Sequence, residues 1–205
     1  MTDLSQALAE INAIRAQVAR GTQFRGYGPT SIAASGLLAL AVAVAQASIM
    51  RGPGVNPALF LAVWVATAAV SVTVAAVETM ARAPRVHSGF ATQMIQSAVE
   101  QFLPATMVGV LLTGAMLVAA PGDLWMLPGL WELIFSLGVF ASCRFLPRQM
   151  YGVAFWYLCS GLICLLIGGG SRALSPWEMG IPFGVGQLLV AAVLRYGFEE
   201  SIEER

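Results

Sequence analysis

Residues Leu124 to Cys143 read "LWMLPGLWELIFSLGVFASC", a run of twenty residues with a single charged side chain, Glu132. At a rise of 1.5 Å per residue, a helix of this length crosses the roughly 30 Å hydrocarbon core of a bilayer. A barrel strand would be about half as long and would alternate polar with apolar, which this run does not. On a helix, Gly129, Glu132, Ser136 and Cys143 fall at offsets of 0, 3, 7 and 14 and share one face. Leu130, Ile134 and Leu137 lie on the other side. Helices in lipid associate through small residues and interhelical hydrogen bonds, so the polar face is predicted to point into a bundle and the apolar face to meet acyl chains.

Five further runs of the same kind surround it, at about 27–50, 58–80, 103–120, 151–168 and 179–196. The whole chain of 205 residues is 58% hydrophobic and 11% charged, with a mean hydropathy of +0.75. Soluble domains are roughly 45–50% apolar and about 25% charged. The expected fold is therefore all-α: a six-helix transmembrane domain over 27–196, preceded by a cytoplasmic amphipathic helix at 1–26 and followed by an acidic cytoplasmic tail at 197–205. In "DLSQALAEINAIRAQVAR", Leu4, Leu8, Ile11, Ile14 and Val18 recur at helical spacing. "SGFATQMIQSAVEQFLP" repeats the pattern with Phe90, Met94, Ala98 and Phe102, and Ser88 is placed to cap it as an interfacial helix between spans 2 and 3. Such helices lie in the membrane interface or against another chain. Residues 1–20 are accordingly the candidate docking face for a protein partner or a second copy of the chain.

All eleven basic residues are Arg, and nine of them fall in the N-terminal segment, the links at Arg82 and Arg85 and at Arg144 and Arg148, and the tail. The positive-inside rule then places both termini in the cytoplasm, and an even number of spans agrees with that. Net charge is zero, which gives no reason to expect nucleic acid as a partner; the lipid bilayer is the expected one.

The turns "RGPGVNP", "APGDLW" and "GGSRALSPW" are short and rich in Gly and Pro, so spans 1 and 2, 3 and 4, and 5 and 6 read as helical hairpins. Their first helices share a small hydroxyl residue before Gly and an apolar run, in "SGLLAL" at Ser35, "TGAMLV" at Thr113 and "SGLICL" at Ser160. "VAAV" recurs in second helices at Val74 and Val190. This is either a threefold hairpin repeat or the ordinary abundance of Gly, Ala and Leu in membrane helices. With its Gly-containing helices and Pro turns, and "TGAMLVAAPG" as the nearest piece, the chain resembles the bacterial inner-membrane proteins of the HdeD type. That resemblance implies a six-span hairpin architecture in a bacterial inner membrane and a link to acid resistance. It brings no catalytic residue.

Glu132 is about seven residues below Trp125, roughly 10 Å beneath the interface. A charged, unpaired carboxylate at that depth would cost several kcal/mol, so Glu132 is expected either to be neutral or to be solvated in a polar cavity. Gln187, ten residues below Trp177, could meet it if spans 4 and 6 are neighbours. The candidate ligand- or proton-binding residues are Glu132, Gln187, Ser136, Ser35 and Ser160. The alternative is a neutral Glu132 that only holds helices together. Glu78, Glu100 and Glu178 read as solvated helix ends.

Counting removes most other chemistry. Without Lys there is no retinal Schiff base, P-loop or lysine nucleophile. The single His, His87, excludes a haem held by two histidines of one chain and makes a zinc site poor. Asp3 and Asp123 lie outside the spans, and Cys159 and Cys164 do not form a CxxC pair. The expectation is a non-enzymatic protein with no cofactor and no metal. It would be either an accessory, sensory or structural membrane subunit or a small oligomeric transporter that uses Glu132 as its proton or cation site.

Overall fold

Proline opens three of the six long helices, at Pro29, Pro57 and Pro176, where its missing N–H would have no helical acceptor anyway. The computed structural model describes residues 29–49, 56–82, 89–144 and 146–196. The helices are α1 (Pro29–Ile49), α2 (Pro57–Arg82), α3 (Gly89–Ala119), α4 (Leu127–Ser142), α5 (Met150–Ile167) and α6 (Pro176–Tyr196). A 3-10 turn at Pro121–Met126 leads into α4, and a shorter one at Gly170–Arg172 precedes α6. Asn56 caps α2, its side-chain oxygen accepting from the Ala58 and Leu59 amides at 3.0 and 3.3 Å. Among the described residues there is no strand, and six helices are long and apolar enough to cross a membrane. The chain is a multi-pass membrane protein.

The amphipathic helix expected at 1–26, the Ser88 cap and the tail at 197–205 lie outside the described residues. The interfacial helix expected between spans 2 and 3 is not a separate element. Its residues form the first turns of α3, which runs unbroken for 31 residues through Pro104. At 1.5 Å per residue α3 is about 46 Å long, more than the hydrocarbon core needs. Only Val99–Ala119 qualifies as its membrane window.

Consecutive helices of each expected hairpin do touch, but the most extensive packing is elsewhere: α1 lies along α6, and α4 along α5. The neighbours run in the order α2, α1, α6, α5, α4, α3, with α4 also reaching α6. Glycine explains the two main interfaces. A Cβ on Gly129 of α4 would stand 2.8 Å from the Gly161 carbonyl oxygen of α5, and one on Gly161 would stand 2.8 Å from the Gly129 oxygen. A Cβ on Gly36 of α1 would likewise lie 2.8 Å from the Gly184 carbonyl oxygen of α6, while Gly180 faces Ala43. With no hydrophobic driving force between helices in lipid, this close backbone approach supplies the packing.

Indole donors fasten the outer helices. Trp64 of α2 donates to Gln46 of α1 at 2.9 Å, and Trp131 of α4 donates to Thr113 of α3 at 2.8 Å. Two apolar clusters lie toward opposite ends of the bundle. Phe60, Leu61, Trp64, Leu124, Leu127, Leu174 and Met179 gather at the end holding the 3-10 turns. Val139, Cys143, Met150, Val153, Ala154 and Tyr157 gather toward the other end.

Candidate functional site

Glu132 lies on α4 between Leu127 of the first cluster and Val139 of the second, and both it and Ser136, one turn on, are 0% exposed. The face that carries Gly129, Glu132 and Ser136 is buried, whereas Leu137 is exposed. The Gly129–Gly161 contact brings α5 so close that a Cβ on Gly161 would stand 3.1 Å from the Glu132 Cβ. That register presents Ser160 and Cys164 of α5 to the carboxyl. The Cys164 thiol donates to Glu132 Oε1 at 3.5 Å, and the Ser160 side chain interacts with the same carboxyl.

A second feature is set by Pro182 in the interior of α6. Proline has no N–H, so the carbonyl four residues earlier, that of Glu178, loses its helical donor. In a membrane interior a backbone oxygen freed in this way needs another partner. The Cys164 thiol lies 3.7 Å from the Glu178 carbonyl oxygen and is placed to donate to it. One thiol proton therefore has two acceptors in reach: a side-chain carboxyl of α4 and a backbone oxygen of α6.

The Glu178 side chain is half-buried and is not the solvated helix end expected from its position. Its Oε1 lies 3.0 Å from where a Cβ on Gly168 would stand, so the glycine leaves the space in which the carboxyl folds against the end of α5. Its Oε2 is buried and has no hydrogen-bond partner. Glu178 interacts electrostatically with Glu132 and with Arg172. Glu132 thus has a second acid as a neighbour, which position along the chain did not suggest.

Two fully buried residues carry orphaned polar atoms here: Oε2 of Glu132 and Oγ of Ser136. Other helix hydroxyls do not share this condition. Thr67, Ser71, Thr113 and Ser142 donate to the carbonyl four residues earlier in their own helices. Leaving a buried polar atom unpaired costs about 1–3 kcal/mol, so two on successive turns of one helix mark a place where packing alone did not choose the residues.

Gln187 does not hydrogen-bond Glu132. It is half-buried on α6, with its Cβ against Gly36, and its side chain interacts with Tyr157, which in turn interacts electrostatically with Glu132. Ser35 stays outside this group, its hydroxyl donating to the Ile32 carbonyl at 2.7 Å. Of the five candidates, Glu132, Ser136 and Ser160 are brought together, Gln187 is linked to them through Tyr157, and Ser35 stands apart. Tyr157, Cys164 and Glu178 complete the group. The helical spacing of Tyr157, Ser160 and Cys164 was the only signal in the sequence for two of them.

Beyond Ser136 the bundle is closed by rings. Phe135 lies 4.6 Å from Tyr157 and 5.4 Å from Phe183 between centroids, and Phe102 packs edge-on against Phe135 at 5.0 Å. No group of three or more His, Cys, Asp or Glu side chains among the described residues could hold a metal ion.

Comparisons with protein-family models, with curated proteins and with solved structures give no match for this chain. The resemblance to the HdeD type therefore adds nothing to the site, and function is argued from the side chains.

Proposed function

We propose that this membrane protein is a non-enzymatic, proton-binding subunit in which Glu132 is the protonated group. The observation that carries this reading is the 0% exposure of Glu132 together with the donor count around it. A charged carboxylate in that position would need a countercharge, and none of the described basic side chains interacts with it. A neutral acid fits the hydrogen bonds better. Its O–H donates to the Cys164 sulfur, which frees the thiol proton for the Glu178 carbonyl that Pro182 leaves open. Deprotonation draws the thiol back to Glu132 and leaves that carbonyl unpaired. Loss of the proton thus unties α6 from α5, while α4 stays tied to α5 in both states. Such a device suits a small sensory or transport unit.

The test is a pH titration of tryptophan fluorescence and thermal stability in nanodiscs. Trp131 is next to Glu132 in the chain, and Trp156 donates to the Pro182 carbonyl at 3.0 Å, so either indole can report the change. The protein is expected to show a transition that Glu132→Gln abolishes while the variant remains folded. An identical titration in the variant defeats the proposal.

A second reading, an accessory subunit docked through residues 1–20, is supported by the outer helices. The membrane window of α3 has no buried residue, and α2 is held mainly by α1. Deleting residues 1–20 should then release a co-purifying partner without disturbing the Glu132 titration.

A further inference from the structure

The proton-binding reading leaves open from which end of the bundle Glu132 is reached. Toward the end of α4 that carries Cys143, the way is filled by apolar and aromatic side chains: Phe135, Tyr157, Phe183 and Phe102, then Val139, Val153 and Met150. Toward the end that carries Arg172, the apolar cluster of Leu124, Leu127, Leu174 and Met179 packs as well, but beside it the group continues as polar atoms. Cys164 bridges Glu132 Oε1 and the Glu178 carbonyl oxygen, and the half-buried Glu178 carboxyl follows, with an unpartnered Oε2 and with exposed Arg172 within electrostatic range. The titratable groups that interact with the two carboxyls are Cys164 and Tyr157 on α5 and Arg172 before α6.

The geometry points to one-sided access: we infer that Glu178 is the carboxylate through which Glu132 exchanges its proton with the aqueous phase at the Arg172 end of the bundle. The step is an acid–base exchange. The O–H bond of the Glu132 acid breaks, the proton passes through water entering beside Cys164, and an O–H bond forms on the Glu178 carboxylate, which then releases the proton to bulk solvent. Charge is conserved, since Glu132 becomes the anion as Glu178 becomes neutral. Arg172 stabilises the anionic form of Glu178 between transfers. Glu178 is a positioning and relay residue, and Glu132 remains the binding group.

This inference rests on the proton-binding reading of Glu132, and its test separates the two. Infrared spectra of the intact protein in nanodiscs would identify the carbonyl stretch of a protonated carboxyl by its loss in Glu132→Gln. The rate at which that band shifts on transfer to D2O then reports proton access. Glu178→Gln is expected to retain the band and slow its shift about 100-fold, the lower end of what a positioned acid–base group contributes. Glu178→Asp is expected to recover part of the rate. A band that shifts as fast in Glu178→Gln as in the unaltered protein overturns the access route while leaving the Glu132 reading intact. Absence of any band that depends on Glu132 overturns both. A Glu178→Asp variant as slow as Glu178→Gln, with equal loss of thermal stability in both, assigns Glu178 to packing and also overturns the route.

Discussion

At Gly161 a single methyl group would meet the Gly129 carbonyl oxygen at 2.8 Å, the Leu133 Cγ at 3.0 Å and the Glu132 Cβ at 3.1 Å. None of these atoms is the free end of a flexible chain, so Gly161→Ala must push α5 away from α4. The expected loss is about 1–3 kcal/mol of stability, read as a lowered melting temperature in detergent. Gly152→Ala on the same helix, where a Cβ meets nothing within 4 Å, should leave the melting temperature unchanged or raised. Trp131→Phe removes the donor that reaches Thr113 and should cost about 0.6 kcal/mol, the average worth of an interhelical hydrogen bond in lipid. At this scale the sequence was largely informative. Helical spacing alone put Gly129, Glu132 and Ser136 on the buried face, because burial in a bundle follows the 3.6-residue period. It could not identify Cys164 as the partner of Glu132, since that depends on the register between two helices whose apolar residues would allow many registers.

The elements show how one irregularity serves another. Pro182 frees the Glu178 carbonyl, and Cys164 of the neighbouring helix is there to meet it. Pro182→Ala should restore the missing N–H, close the Glu178 carbonyl within α6 and leave Glu132 as the sole acceptor in reach of the thiol. Infrared spectroscopy should record this as a shifted and narrowed S–H stretch, which Cys164→Ser identifies by its loss. The six runs were legible because only helices of about this length satisfy their backbone inside hydrocarbon. Two features were not. The amphipathic segment ahead of span 3 looked self-contained, yet it runs past Pro104 as part of a single helix. Glu178 looked solvated because it lies in the first turn of its helix, whereas its burial is set by Gly168 at the end of another.

Across the whole molecule, the neighbour order α2, α1, α6, α5, α4, α3 means that α1 and α6, the first and last helices among the described residues, form a central interface. A chain divided within residues 83–88 and expressed as two pieces should therefore reassemble, with α1 of one piece seated on α6 of the other. Gly184→Leu in the second piece should prevent their co-purification, because a Cβ alone at that position would already stand 2.5 Å from Leu40 Cγ. Loop composition carried no information on this long-range pairing. The small residues that decide it, Gly36, Ala43, Gly180 and Gly184, are of a kind found in every span. The pairing also sets a timetable for biogenesis. Helix α1 is synthesised well before α6, yet its glycine-notched side has nothing to rest on until α6 has been made and inserted. A nascent chain stalled before α6 would offer that side to whatever insertion or quality-control machinery recognises unfinished membrane proteins.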